Sequence, residues 1–113
     1  MLIDLNAFET LKIPNLNGGD GSVSAKMFSD DRGKIIISRI PAGSSIGQHL
    51  QKTGDDINYV ISGTGTAICD GVSEKLKAGV CHICPEGSVH SIINTGDRDL
   101  VLFSVVAHRK KNE

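Results

Sequence analysis

Four polar side chains stand at spacings that could do chemistry. His49 and Gln51 lie two apart in the stretch GQHLQKTGDDINYV, Asp56 opens the run that follows, and His90 comes just after the turn in CPEGSVH. On a strand, residues two apart share a face, so His49 and Gln51 point the same way. Nitrogen and oxygen donors brought from neighbouring strands into one interior could surround a divalent metal.

The segment CHIC, residues 81–84, suggests a second chemistry and does not support it. On a strand, Cys81 and Cys84 face opposite ways, with Cα atoms ~10 Å apart at ~3.3 Å per residue. A disulfide needs them within ~7 Å. A redox Cys-x-x-Cys normally opens a helix, whereas Cys84 runs into the turn Pro85-Glu86-Gly87. A zinc site would want a second ligand pair, and Cys69 alone is not one. The cysteines read as structural, and the chemistry falls to the histidines.

The elements that must position these residues are strands. Thirteen glycines are spread along 113 residues, and between them lie short segments rich in Val, Ile, Ser and Thr, the pattern of an all-β chain with tight turns. Strands are predicted near 22–28, 34–40, 46–51, 56–62, 65–69, 72–76, 80–84, 89–94 and 100–106. Asp70-Gly71 has the chemistry of a two-residue hairpin turn. The first dozen residues predict one short helix capped by Asp4 or Asn6. Nine short strands with hairpin spacing indicate an antiparallel barrel or double-sheet sandwich. With three Phe, one Tyr and no Trp, its core must be Ile, Val and Leu. The length predicts a single domain over 1–113, with a core barrel at about 22–106, an N-terminal arm at 1–21 and a basic tail at 107–113.

A formal charge of −1 gives no electrostatic reason to expect nucleic acid or an anionic membrane. No apolar run approaches the ~20 residues of a membrane helix. The N-terminal residues have neither the basic region nor the apolar core of a signal peptide. Three cysteines, an odd number, argue against a fully paired secreted scaffold. The expected location is the cytoplasm.

At the four polar residues the sequence resembles the cupin superfamily, small jelly-roll-like β-barrels with two motifs. Gly43, His49, Gln51, Asp56 and Gly63 keep the spacing of the first, with Gln in place of its second His and Asp in place of its Glu. Gly79, Pro85, Gly87, His90 and Asn94 match the second at every position. The resemblance implies an all-β, cupin-type antiparallel double-sheet barrel. It also implies one divalent transition metal, Fe, Mn, Ni or Zn, held by His49, Gln51, Asp56 and His90. His82 falls outside that ligand pattern and reads as structural.

Strand alternation adds candidates for the pocket. Asn58 shares the inward face with Asp56 and reads equally as a substrate contact or as a hydrogen bond inside the barrel. Phe103 is a second candidate for lining the pocket, with core packing as its default. Asn94 reads as a structural polar residue. Asp55, Asp56 and His82 are the candidates for a general base, with no catalytic residue assigned. The resemblance implies an enzyme acting on a small polar molecule such as a sugar acid or carboxylate, of isomerase, lyase or dioxygenase type. The alternative is a non-catalytic cupin that binds or senses a small molecule and has a degenerate metal site. It also implies a homodimer, for which DLVLFSVV, residues 99–106, is the expected edge strand.

Overall fold

The computed structural model describes residues 1–108. Residues 109–113, most of the expected basic tail, lie outside the described residues. Ten strands form two antiparallel sheets. They are β1 (Leu11–Pro14), β2 (Ser22–Asp30), β3 (Gly33–Ile40), β4 (Ser45–Leu50), β5 (Asp55–Ser62), β6 (Thr64–Cys69), β7 (Val72–Lys77), β8 (Cys81–Cys84), β9 (Val89–Ile93) and β10 (Leu100–Ala107). The larger sheet runs β1-β2-β3-β10-β5-β8, and the smaller runs β4-β9-β6-β7.

The nine predicted strands are present within one or two residues of their expected ends, and β1 is an addition. The expected N-terminal helix is only a single 3-10 turn, Leu5–Ala7, whose Asn6 amide donates to Asp4 Oδ1 at 3.0 Å. The turn buries none of its residues, and a helix this short has too little packing to offset its nucleation cost. Asp70 and Gly71 close the β6–β7 hairpin with positive φ values of 48° and 80°, as the Asp-Gly pair requires.

The expectation that β10 is an edge strand is overturned. It pairs with β3 on one side and β5 on the other, so it lies inside the larger sheet. The outer strands of that sheet are β1 and β8.

The two sheets are sealed at one end and open at the other. Ile40, Val60, Ala67, Leu76 and Leu100 are all buried and close one end of the interior. Each of the Ile, Val and Leu side chains contributes about 1.5–3 kcal/mol on burial. At the other end, the segment after β4 is zipped to the turn before β9. Gln51 N donates to Ser88 O at 2.9 Å and Gly87 N donates to Gln51 O at 2.8 Å. Gly54 N donates to Glu86 Oε1 at 2.6 Å, and Glu86 N to Asp55 Oδ1 at 2.9 Å. These bonds fix the stretch between His49 and Asp56 against the strand that carries His90.

Candidate functional site

The structure brings His49, Asp56 and His90 together. His49 and His90 are register partners on β4 and β9, and Asp56 comes from β5 in the facing sheet. His90 is the hub. Its Nε2 lies 3.0 Å from His49 Nε2 and 3.3 Å from Asp56 Oδ2. Gln51 also lines the cavity around them. Among the described residues, no set of three or more His, Cys, Asp and Glu side chains forms a metal cage on its own.

Two local features orient His49. The register between β4 and β9 shifts between Ile46 and His49, a bulge that re-aims the strand. Beside it, Gly47 packs against the backbone of Asn17 and Gly19, where an added Cβ would collide with the Asn17 carbonyl. The Gly47 carbonyl in turn lies 2.8 Å from His49 Nδ1. His90 is held by its neighbour in sequence. Val89 N donates to Asp70 Oδ1 at 2.9 Å, and Asp70 N donates to Val89 O at 2.8 Å. The bond from Val89 N holds the Asp70 carboxyl below its usual range.

Behind His90 stand His82, which the sequence offered only as a structural residue or a general-base candidate, and Glu74, which it did not single out. His82, on β8 and buried, places Nε2 at 3.0 Å from His90 Nδ1 and Nδ1 at 2.6 Å from Glu74 Oε1. His82 therefore bears directly on the hub. The available signal was parity: on a strand, His82 shares a face with the buried Cys84. Nothing local to β7 marks Glu74 as its partner.

Donor and acceptor roles along this chain are fixed by its ends. A carboxylate only accepts, so His82 donates to Glu74 from Nδ1. With one proton on each ring, His82 Nε2 accepts from His90 Nδ1–H. A backbone carbonyl also only accepts, so His49 donates from Nδ1 to Gly47. Both Nε2 atoms are therefore left with bare lone pairs, pointed at each other across 3.0 Å beside the Asp56 carboxylate. That grouping is repulsive unless a proton or a metal ion sits within it. Two nitrogens ~2.1 Å from one ion, at a right angle, are themselves ~3.0 Å apart. The donor set, two imidazoles and a carboxylate, suits a divalent transition metal.

Gln51 is buried, and its amide nitrogen donates to Gly54 O at 3.1 Å and Thr53 O at 3.4 Å. With both N–H bonds directed at the loop, Oε1 is its remaining donor atom for an ion. Asn58 lines the cavity but accepts from Ser104 Oγ at 2.6 Å and points its amide nitrogen at backbone carbonyls. Of its two readings, the hydrogen bond inside the barrel is present. Asn94 is structural. It donates to Ile40 O and Arg98 O, each at 2.7 Å, and accepts from Gly96 N.

Phe103 requires a correction. It is 37% exposed and lies on the outer face of the larger sheet, opposite Ile37 and Tyr59. Its neighbours Leu102 and Ser104 line the cavity instead. The cysteines behave as their spacing predicts, with Cys81 exposed, Cys84 buried and all three free. Burial, with nearby Cys69 adding to it, pushes the Cys84 thiol up to about 12.

The cavity measures about 650 Å³. Besides the polar cluster, Lys34 and Lys52 line it, and neither makes an ion pair among the described residues. Two cations on the same cavity, without an ion pair among the described residues, favour an anionic ligand.

Known proteins agree with this architecture. The chain is 31% identical, over 101 residues and 84% of each protein, to a Thermotoga maritima protein named oxalate-binding protein. A crystal structure from the same organism, described as a predicted oxalate decarboxylase, superimposes with a TM-score of 0.89 at 27% identity. It covers 96% of this chain and all of the other. The Schizosaccharomyces pombe Cnp3 cupin domain shares the fold at a TM-score of 0.79 and 15% identity, over 96% of this chain and 74% of its own. Residues 36–106 match the cupin domain, more than half the sequence. The chain belongs to the cupin family.

Proposed function

We propose that the protein is a metal-dependent cupin whose cavity binds a carboxylate, with His49, Gln51, Asp56 and His90 as the protein ligands of one divalent ion. The observation that carries this reading is the pair of Nε2 atoms held 3.0 Å apart, with the Asp56 carboxylate 3.3 Å from one of them. Mn, Fe, Ni and Zn all accept such mixed nitrogen and oxygen donors. When bound, the metal supplies a Lewis acid for a carboxylate or carbonyl oxygen. Lys34 and Lys52 attract the anion, and the zipped loop from Gln51 to Asp55 keeps the polar end of the cavity in shape. The relative named for oxalate binding supports a carboxylate as the ligand class.

An enzyme of isomerase, lyase or dioxygenase type follows if the bound acid is converted. A carrier or sensor is the second reading. It is favoured by Asn58, Ser104 and Gln51, whose hydrogen-bond donors are already engaged within the protein. Titration calorimetry of the Mn-loaded protein with oxalate and pyruvate, followed by product analysis, tests both. Carboxylate binding that requires metal is the expected result. Products at catalytic turnover select the enzyme, and binding without conversion selects the carrier. No binding of oxalate, pyruvate or a longer monocarboxylate to the metal-loaded protein would overturn the reading.

The expected homodimer fits a face other than the one anticipated. Tyr59, Ile61, Ile83 and Phe103 are exposed large apolar residues on β5, β8 and β10, which are adjacent in the larger sheet. A second copy of this face, packed across a two-fold axis, would cover them. A concentration-independent monomer mass in light scattering would dispose of the dimer. Three free thiols support a reducing compartment such as the cytoplasm.

A further inference from the structure

The cavity is chemically divided, and the division follows the sheet. On the inner face of the larger sheet, one transverse row runs Asn58, Ser104, Ile36, Met27 across β5, β10, β3 and β2. The row nearer the mouth runs Asp56, Val106, Lys34. Each row is polar at β5, beneath the His49–His90 pair, and the first becomes apolar towards β2. Beyond Met27 and Ala25, β1 adds Leu11 and Ile13 to the same wall.

This wall is apolar surface that the described residues leave uncovered. Leu11 is 45% exposed and Met27 36% exposed, although both line the cavity. A volume of about 650 Å³ lies within the ~300–1,000 Å³ of pockets that enclose drug-sized ligands. Oxalate, two carboxylates joined directly, has no apolar part and would leave most of that wall hydrated. Three strand spacings separate β5 from β2, ~14 Å along the curved sheet at ~4.8 Å each.

We propose that the ligand of this cavity is an amphipathic carboxylic acid, with its carboxylate at His49, Asp56 and His90 and an apolar body lying across Ile36 and Met27 towards β1. The proposal rests on the reading that a carboxylate occupies the polar cluster, and it names what the rest of that molecule must be. Lys34, two strands from Asp56 in the mouth row, adds a favourable charge near the head. The body gains affinity by removing Met27, Leu11 and Ile36 from water.

Calorimetry with acetate, butanoate, hexanoate, octanoate and oxalate separates this proposal from the metal assignment. The series is run on the full chain with and without Mn(II), beside Met27→Asp. The expected result is tightening by about fourfold per added methylene up to the length of the wall. Octanoate should bind more tightly than oxalate, and Met27→Asp should flatten the chain-length slope. Met27 is partly exposed, so the variant is expected to fold, which circular dichroism checks. A slope that persists without Mn(II) supports the apolar wall while removing the metal from ligand binding. Octanoate binding no better than acetate, oxalate binding most tightly, or a slope unchanged in Met27→Asp would each overturn the proposal.

Discussion

His49 and His90 face each other through Nε2 atoms 3.0 Å apart, each ring having committed its Nδ1–H to a partner behind it. For His49 that partner is the Gly47 carbonyl, and for His90 it is His82, backed by Glu74. The second arrangement extends the usual pattern in which a ligand histidine donates its other N–H to an acceptor. It fixes both the tautomer and the ring plane of the hub residue.

Removing the support should therefore weaken the site without removing a ligand. His82→Ala and Glu74→Gln are expected to lower metal affinity, by about 10–100-fold for His82→Ala. Because Glu74 is half exposed, its variant should show the smaller effect. Competition with a chromogenic chelator reads both affinities. Wild-type affinity in His82→Ala would show that His90 needs no orienting partner.

Gly47→Ala should act through backbone collision. The new Cβ meets the carbonyl of Asn17 and the amide of Gly19, which must shift β4 and the carbonyl that orients His49. Lower thermal stability together with weaker metal binding is the expected outcome. A change in neither would show that this contact relaxes freely.

The buried end is expected to dominate stability. Ile40 is fully buried at the closed end, and Ile40→Ala should cost about 2–5 kcal/mol. Val72, 63% exposed, should lose no more than about 0.5 kcal/mol on truncation to Ala. Urea denaturation midpoints compare the two.

Thiol chemistry should follow burial. Cys81 is exposed and should react with an aromatic disulfide reagent in the native state, while Cys84 should react only on unfolding. The raised Cys84 value also sets a pH dependence. Its unfolded thiol ionises near 9.0 and its folded thiol near 12. The unfolded chain thus releases this proton first, and stability should fall as pH rises from about 9.0 towards 12. Cys84→Ser or Cys84→Ala should shallow that decline.

Much of this was legible in the sequence because β structure is written locally. The glycine and Asp-Gly turns mark strand ends, and the motif spacings of the resemblance place His49, Asp56 and His90 on one interior. Phe103 was misplaced for a physical reason. In β10, residues 100–103 are all apolar, so alternation carries no signal about which face is inward. The strand's central place in the sheet was equally hidden, since its pairing with β3 and β5 spans distant segments. His82 and Glu74 are only eight residues apart, but β8 and β7 belong to different sheets, so the pair is set by how the sheets pack and no strand pattern announces it. The uncovered apolar wall uses the same residue types as a core, so only the assembled barrel separates the two.

The most direct test of the central claim is elemental analysis by mass spectrometry on untagged protein, beside His49→Ala and His90→Ala. The account predicts close to one divalent transition metal per chain in the parent and its loss in both variants. Parent protein that stays metal-free after reconstitution with Mn(II), Fe(II), Ni(II) and Zn(II) would contradict it. The facing imidazoles would then share a proton, balanced by Asp56, in place of a metal.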